Sequence, residues 1–201
     1  MNNNIEYIIK KFNINLKSVS PIMIPNGTRE DLADLFFELG FKIGAEIGVE
    51  RGSYSEILCK HNPNLKLYCV DSWQQYDEYR DTLNQFSLEG YYEETKKRLA
   101  PYNCELIKKY SMDAVKDFEN NSLDFVYIDG NHHFDYVAQD IINWAKIVRP
   151  GGIVSGHDYR KDKNERIPFH IIQATHAYTD AHKISPWFVL GRSTSWFWVK
   201  T

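Results

Sequence analysis

Apolar and polar positions alternate along this chain in two registers. Runs at residues 43–49, 65–70, 104–109, 123–128, 153–156, 187–191 and 195–200 have the length and make-up of strands. The run LDFVYI at 123–128 is apolar almost throughout, as a central parallel strand covered on both faces has to be. Between the runs, apolar residues recur at helical spacing. Leu32, Leu35, Phe36 and Leu39 make one such stripe. Thr28 stands where an N-cap is needed, Glu30 and Asp31 occupy the first turn, where the helix dipole favours acid, and Gly40 closes the helix. The same spacing predicts helices over 54–61, 136–148 and 167–178, a short one through Phe118 and another around 5–12. One or two more fit between Trp73 and Tyr102, the second over 91–99. Strands alternating with helices predict an α/β fold on an open, doubly wound, mostly parallel sheet. Pro21, Pro25 and the Asn26-Gly27 turn signal set residues 1–27 apart as an N-terminal segment, with 28–201 as the domain.

The stretch KIGAEIGVERGSYSEILCKHNPNLKLYCVD, residues 42–71, reads as strand, tight turn, helix, loop and strand. Gly48 and Gly52 bracket the turn, where a missing Cβ lets the backbone bend and a ligand come close. Asp71 ends the second strand, where a carboxylate can accept from both hydroxyls of a ribose. This unit suits an adenosine-containing ligand. The glycines follow E-x-G-x-x-x-G (Glu46, Gly48, Gly52), not the G-x-G-x-x-G of a dinucleotide fold.

Composition narrows the class. A chain of 201 residues, 43% of them hydrophobic, is the size of one domain with a substantial core. A net charge of −3 gives no basic surplus for nucleic acid. No apolar run has membrane-spanning length and the polar start MNNNIEYIIKKF is not a secretory signal, so a cytoplasmic protein is expected. Cys59, Cys69 and Cys104 lack metal spacing and read as small core residues in a reducing compartment. Aromatic residues concentrate at 73–92 and 187–198. Trp73, Tyr76 and Tyr79 could form a lid or simple helix packing, and exposed aromatics would allow a homodimer.

Ligands of such sheets bind beyond the carboxyl ends of the strands. Polar clusters stand at those ends: Gly48 to Gly52, Asp71, Ser111-Met112, Asp129-Gly130-Asn131-His132-His133 and His157-Asp158. The E-x-G-x-x-x-G turn resembles motif I of class I S-adenosylmethionine-dependent methyltransferases. The segment YIDGNHHFDYVAQDIINWAKIVRPGGIVSGHDY, residues 127–159, resembles the later motifs of the family that holds sugar and small-molecule O-methyltransferases, with D-G-x-H-x-(F/Y)-x-x-V-x-x-D, then P-G-G, then H-D-Y. The resemblance spans residues 42–159, and STSWFWVKT is similar to the last strand of such proteins.

The resemblance implies a Rossmann-like methyltransferase fold of seven strands, the last antiparallel. Its cofactor would be S-adenosylmethionine and its acceptor a hydroxyl of a sugar or other small molecule. Gly48 and Gly52 would shape the loop around the methionine part, with Glu46 bonding nearby; Asp71 would hold the ribose, and Ser111 and Met112 would border the adenine. Asp129 would lie near the sulfonium. In metal-dependent relatives it is a ligand, Asp158 matches the second carboxylate, and Mg²⁺ is the ion implied. Those relatives carry Asn or Asp after the second aspartate, where this chain has Tyr159; water, His157 or another mode of Asp129 would have to complete the shell. His132 holds the D-G-x-H position and is the candidate base, with Asp129 beside it; His133 reads as a helix start. His61, His170, His176 and His182 have no supporting context, and the charged loop 160–166 reads as solvated surface. The alternative for Asp129 and Asp158 is to cap the following helices, as Asp often does. Two rival functions are a non-catalytic adenosine-ligand-binding module on the same fold and a dinucleotide-dependent oxidoreductase. Asp129, His132 and Asp158 together argue against the first, and the missing third glycine against the second.

Overall fold

A computed structural model describes residues 3–15, 18–75, 85–161 and 169–201. The elements follow in the order α1 (Asn3–Lys11), β1 (Ile22–Ile24), α2 (Arg29–Glu38), β2 (Ile43–Ile47), α3 (Ser53–His61), β3 (Lys66–Asp71), α4 (Gln85–Leu99), β4 (Cys104–Lys108) and α5 (Ser111–Ala114). They continue with β5 (Leu123–Ile128), α6 (Phe134–Ile147), β6 (Val148–Gly156), α7 (Ile171–Ala181), β7 (Phe188–Leu190) and β8 (Ser195–Val199). The strands form one sheet in the order β1-β7-β8-β6-β5-β2-β3-β4. Among the described strands β8 alone runs against its neighbours, β6 and β7; every other pair is parallel.

The local signals explain most of these elements. Thr28 caps α2 in a capping box: its side chain accepts from Asp31 N–H at 3.2 Å, and Asp31 Oδ2 accepts from Thr28 N–H at 2.8 Å. In β5, Phe125 and Tyr127 enter the core under α1, α2 and α3, while Val126 and Ile128 enter the core under α6 and α7. Both faces are thus covered, which is why the strand has no polar alternation. Gly44 lets the Phe125 ring lie against β2, since a Cβ there would sit 2.2 Å from it.

Three expectations change. The sheet has eight strands rather than seven. The extra one is β1, a three-residue strand between two prolines that becomes a strand by pairing Ile22 with Phe188 and Ile24 with Leu190. The N-terminal segment, residues 1–27, supplies β1 to this sheet and Ile5 and Ile8 to its core. Pro150-Gly151-Gly152 is not a turn ahead of a strand but an irregularity within β6, which begins at Val148 and shifts register against β5 between Leu123 and Phe125. In the aromatic segment, α4 starts earlier than the periodicity places it; Tyr76, Tyr79 and residues 162–168 of the charged loop and the α7 approach lie outside the described residues. Among the described residues no helix is long and apolar enough to cross a membrane.

Candidate active site

The strand order reverses between β5 and β2, and a cavity of about 1000 Å³ opens there beyond the strand ends. Its lining joins Glu46, Gly48, Asp71, Ser111, Met112, Asp129 and His132. Gly52 starts α3 behind that loop with φ +73°, and packs on Thr95 and Leu99 rather than on the cavity.

The turn after β2 is fixed by backbone geometry. Gly48 has φ +88°, and a Cβ on it would fall 2.2 Å from the Asp129 carbonyl oxygen, so the loops after β2 and β5 touch backbone to backbone. Asp71 is the clasp of the next loop. Its Oδ2 accepts from Val49 and Glu50 N–H, each at 2.9 Å, and its Oδ1 from Trp73 N–H at 2.7 Å. Those bonds hold Glu50 and Trp73 at φ of 51° and 44°, a region non-glycine residues seldom occupy. Trp73 is no lid. It is fully buried on Tyr92, and its indole N–H donates to the Glu50 carbonyl at 2.7 Å, which Thr95 Oγ1 also reaches at 3.0 Å.

Glu46 is buried with the Ser55 hydroxyl donating to it; burial pushes its carboxyl up to about 8, against the lowering pull of that bond. At the other end, Ser111 Oγ donates to Asp140 and accepts from Trp144 Nε1 at 2.8 Å. Burial raises the Asp140 carboxyl to about 7. Met112 Sδ accepts from Asn143 Nδ2 at 3.4 Å.

The acidic and imidazole groups meet beside the loop after β5. Ligand atoms of Asp129, His132 and Asp158 all lie within 4.8 Å of one another. His132 Nε2 is 3.2 Å from Asp158 Oδ2, and its ring packs on Phe169. His157 Nδ1 lies 3.4 Å from both Asp129 Oδ1 and Asp158 Oδ1. Burial acts to lower the His157 pKa, but the two carboxylates overcome it and bring it to about 9. Burial likewise works to raise Asp158, and His132, His157 and Arg160 together hold it well below the usual carboxylate range. Asp158 has φ 59°, a third strained residue at this edge after Glu50 and Trp73. Neither aspartate caps a helix: α6 starts from His133, as the sequence suggests, and α7 starts from His170. Tyr159 turns away from the cluster; its hydroxyl bonds His176 Nε2 at 2.7 Å beside Trp187. His132 and His157 thus flank the two carboxylates.

The profile of a methyltransferase domain matches residues 45–159, more than half of the chain. This chain belongs to the methyltransferase-domain family. A curated relative from Sinorhizobium fredii, the uncharacterized protein y4gI, is 30% identical over 100 residues, 46% of this chain. The chain spans about 10% of that relative's length. Among solved structures, the O-methyltransferase from Bacillus cereus in complex with SAH aligns over 100% of this chain and 92% of its own at a TM-score of 0.60 and 15% identity. The O-methyltransferase NovP aligns over 86% and 78% at 0.63 and 15%. TomG from Streptomyces achromogenes, solved with SAM, aligns over 96% and 86% at 0.60 and 16%. At these identities the structures establish a shared fold.

Two residues of this methyltransferase domain, Asp140 and Arg29, escape the sequence reading, and a third, His157, is only partly legible there. Asp140 ends the very motif that locates Asp129, and its spacing on α6 could have placed it under the cavity. For His157 the sequence suggests a spare ligand or an alternate base, while its place between two carboxylates is a product of the fold. Arg29 lines the cavity from the first turn of α2 with no local motif to mark it.

Proposed function

We propose that this methyltransferase domain transfers a methyl group from S-adenosylmethionine to a hydroxyl of a small molecule, a sugar among the candidates. The observation that carries this reading is the meeting of Asp129, His132 and Asp158 at the edge of a cavity whose other walls are the Gly48 turn, Asp71 and Ser111-Met112. Bound S-adenosylmethionine supplies an electrophilic methyl on a sulfonium. Gly48 would leave room for its backbone-close approach, Asp71 would hold the ribose, and Ser111 and Met112 would border the adenine. Holding the acceptor oxygen in line with the methyl is worth up to about 7–11 kcal/mol in such reactions.

The acceptor must also lose its proton. Support for His132 in this role is its Nε2, 3.2 Å from Asp158 Oδ2: with Nε2–H donating there, the neutral ring carries its lone pair on Nδ1, and Asp158 would orient it as the third group of a triad does. Asp129 adds a negative charge beside the sulfonium. The convergence of three donors supports a second use of the same residues: Asp129, His132 and Asp158 would hold a divalent ion, which would polarise the acceptor hydroxyl. An imidazole in that set moves its preference from Mg²⁺ towards Mn²⁺ or Zn²⁺. The cation of His157 and the Arg160 guanidinium, 3.0 Å from Asp158, already offset the two carboxylates, which favours the base over the ion.

Calorimetry with S-adenosylhomocysteine, followed by labelled methyl transfer to a panel of hydroxyl compounds with and without EDTA, tests both. Binding with EDTA-resistant transfer is expected. Transfer abolished by EDTA and restored by Mn²⁺ or Mg²⁺ would establish the ion instead, and absence of S-adenosylhomocysteine binding would sink the reading.

A further inference from the structure

Arg29 occupies the first position of α2, where the helix dipole disfavours a cation by about 0.3–1 kcal/mol. The acidic Glu30 and Asp31 of the same turn suit that dipole; Arg29 does not, so its place needs another reason. Its guanidinium lies over the Tyr54 ring, 5.1 Å from the centroid, and the Tyr54 hydroxyl donates back to the Arg29 carbonyl at 3.1 Å. The head is therefore held in place and turned into the cavity, with 35% of the side chain still open. The carboxylate nearest to it, Asp129 Oδ2, stands at 3.9 Å, close enough to attract but too far for a hydrogen bond. The Tyr127 hydroxyl, also against it, is bonded to Ser195 at 3.0 Å.

The charges around the cavity make this position distinctive. Among the described residues its lining carries acids along its length and two cations, Arg29 and Lys109. Lys109 stands at the Ser111 end and is paired with Asp117 at 2.6 Å. An anionic group entering at the Gly48 end therefore meets Arg29. Glu46, the acid deepest in that end, carries its proton near neutral pH and does not cancel the guanidinium.

The order of groups along the cavity sets the ligand's direction. Ser111 and Met112 mark one end, Asp71 the middle, and the Gly48 turn, touching Asp129, the other. A nucleoside lying with its base at Ser111 and its ribose at Asp71 points its third substituent past Gly48 towards Arg29. We propose that Arg29 binds the carboxylate of the amino-acid tail of S-adenosylmethionine and so selects a complete cofactor over nucleosides that lack the tail's acid. This rests on the reading of the cavity as the S-adenosylmethionine site. A guanidinium fork matches a carboxylate with two parallel N–H bonds, which a lysine cannot copy.

Three probes isolate that one contact: S-adenosylhomocysteine, its decarboxylated analogue that keeps the amine, and 5′-methylthioadenosine, which lacks the whole tail. Calorimetry on the parent and on Arg29→Gln, with thermal melts to confirm folding, should show S-adenosylhomocysteine affinity falling about 10–100-fold, the scale of hydrogen bonds to a charged group. The two probes without a carboxylate should bind parent and variant within about twofold, since they lose no such bond. Arg29→Lys should recover part of the loss. Equal losses for all three probes, or unchanged S-adenosylhomocysteine affinity, would overturn the assignment while leaving the cofactor site standing. A folded parent that binds none of the probes would overturn the site, and this assignment with it.

Discussion

Asp71→Asn tests how the cofactor loop is held. The carboxylate serves three backbone donors, Val49 and Glu50 through one oxygen at 2.9 Å and Trp73 through the other at 2.7 Å. An amide of the same shape keeps one oxygen. Turned to serve Trp73, it sets its NH₂ against Val49 and Glu50; turned the other way, it faces the Trp73 N–H. A donor meets a donor in either rotamer. Glu50 N–H sits at the exposed rim, where water can replace the lost acceptor, so at least one part-buried donor is left unmatched, at a cost of about 1–3 kcal/mol. Burial raises the Asp71 carboxyl against the lowering effect of its backbone bonds, so the amide also removes a buried charge, and the net loss falls in the lower half of that range. For a domain of this size that is a melting temperature lower by about 2–8 °C. The larger effect should fall on binding. Freed from Asp71, Glu50 and Trp73 can leave their strained φ values, and the rim of the cavity moves with them. Thermal melts and S-adenosylhomocysteine calorimetry on the same preparation would show a modest drop in stability beside an affinity loss of about tenfold or more, the equivalent of one charged hydrogen bond. Unchanged melting together with unchanged affinity would refute the clasp.

Other consequences follow from single groups. Glu46 is held about 8, above its unfolded value, so the folded protein keeps a proton that the unfolded chain gives up. Its contribution is complete below the ordinary glutamate range and is lost as pH rises through about 8, with a slope of up to about 1.4 kcal/mol per pH unit; urea midpoints of Glu46→Gln should lack this slope, and parallel pH profiles would count against it. Gly48→Ala should lose about 1–3 kcal/mol from its φ alone, and more from the clash with Asp129, together with cofactor binding. Gly90→Ala, inside α4 with nothing within 4 Å of the new methyl, should gain about 0.5–1 kcal/mol; denaturant titration of the two variants with equal midpoints would contradict both. His132→Ala should slow transfer to the cognate acceptor about 10²–10⁴-fold with S-adenosylhomocysteine affinity nearly intact, and a parental single-turnover rate would move the base elsewhere.

What the sequence disclosed divides by range of interaction. The α2 cap, the buried strand 123–128 and the Gly48 turn are written in adjacent residues, and each is found where that writing puts it. β1 was illegible because three residues between prolines carry no periodicity; its strand character comes from β7, far along the chain. Tyr159 looked like an intruder in a ligand position because spacing alone cannot tell which way a side chain turns after a residue at φ 59°. Arg29, and the seat of His157 between two carboxylates, become visible only when β5, β6 and the start of α2 are brought to one edge, since their neighbours are distant in sequence. The roles of Asp71 divide the same way: its place at a strand end was legible, but its three backbone donors lie on loops whose meeting only the fold creates.

The pairing of β1 with β7 also sets a timetable for folding. The nearby bond from Trp187 N–H to Ser20 Oγ, at 3.1 Å, joins positions 167 apart. A ribosome therefore delivers β1 well before its only described sheet neighbour. In between, Ile22 and Ile24 have no strand to cover them, and the half of the sheet from β2 to β6 can assemble without them. Contacts of such separation close late, because the loop entropy must be met before they return anything. Once made, the pair covers β7, which would otherwise be an open parallel edge of wholly buried residues Phe188, Val189 and Leu190. The short strand β1 is thus a closing piece: made well before its partner, docked only after it, and the difference between a finished sheet and one with an adhesive border.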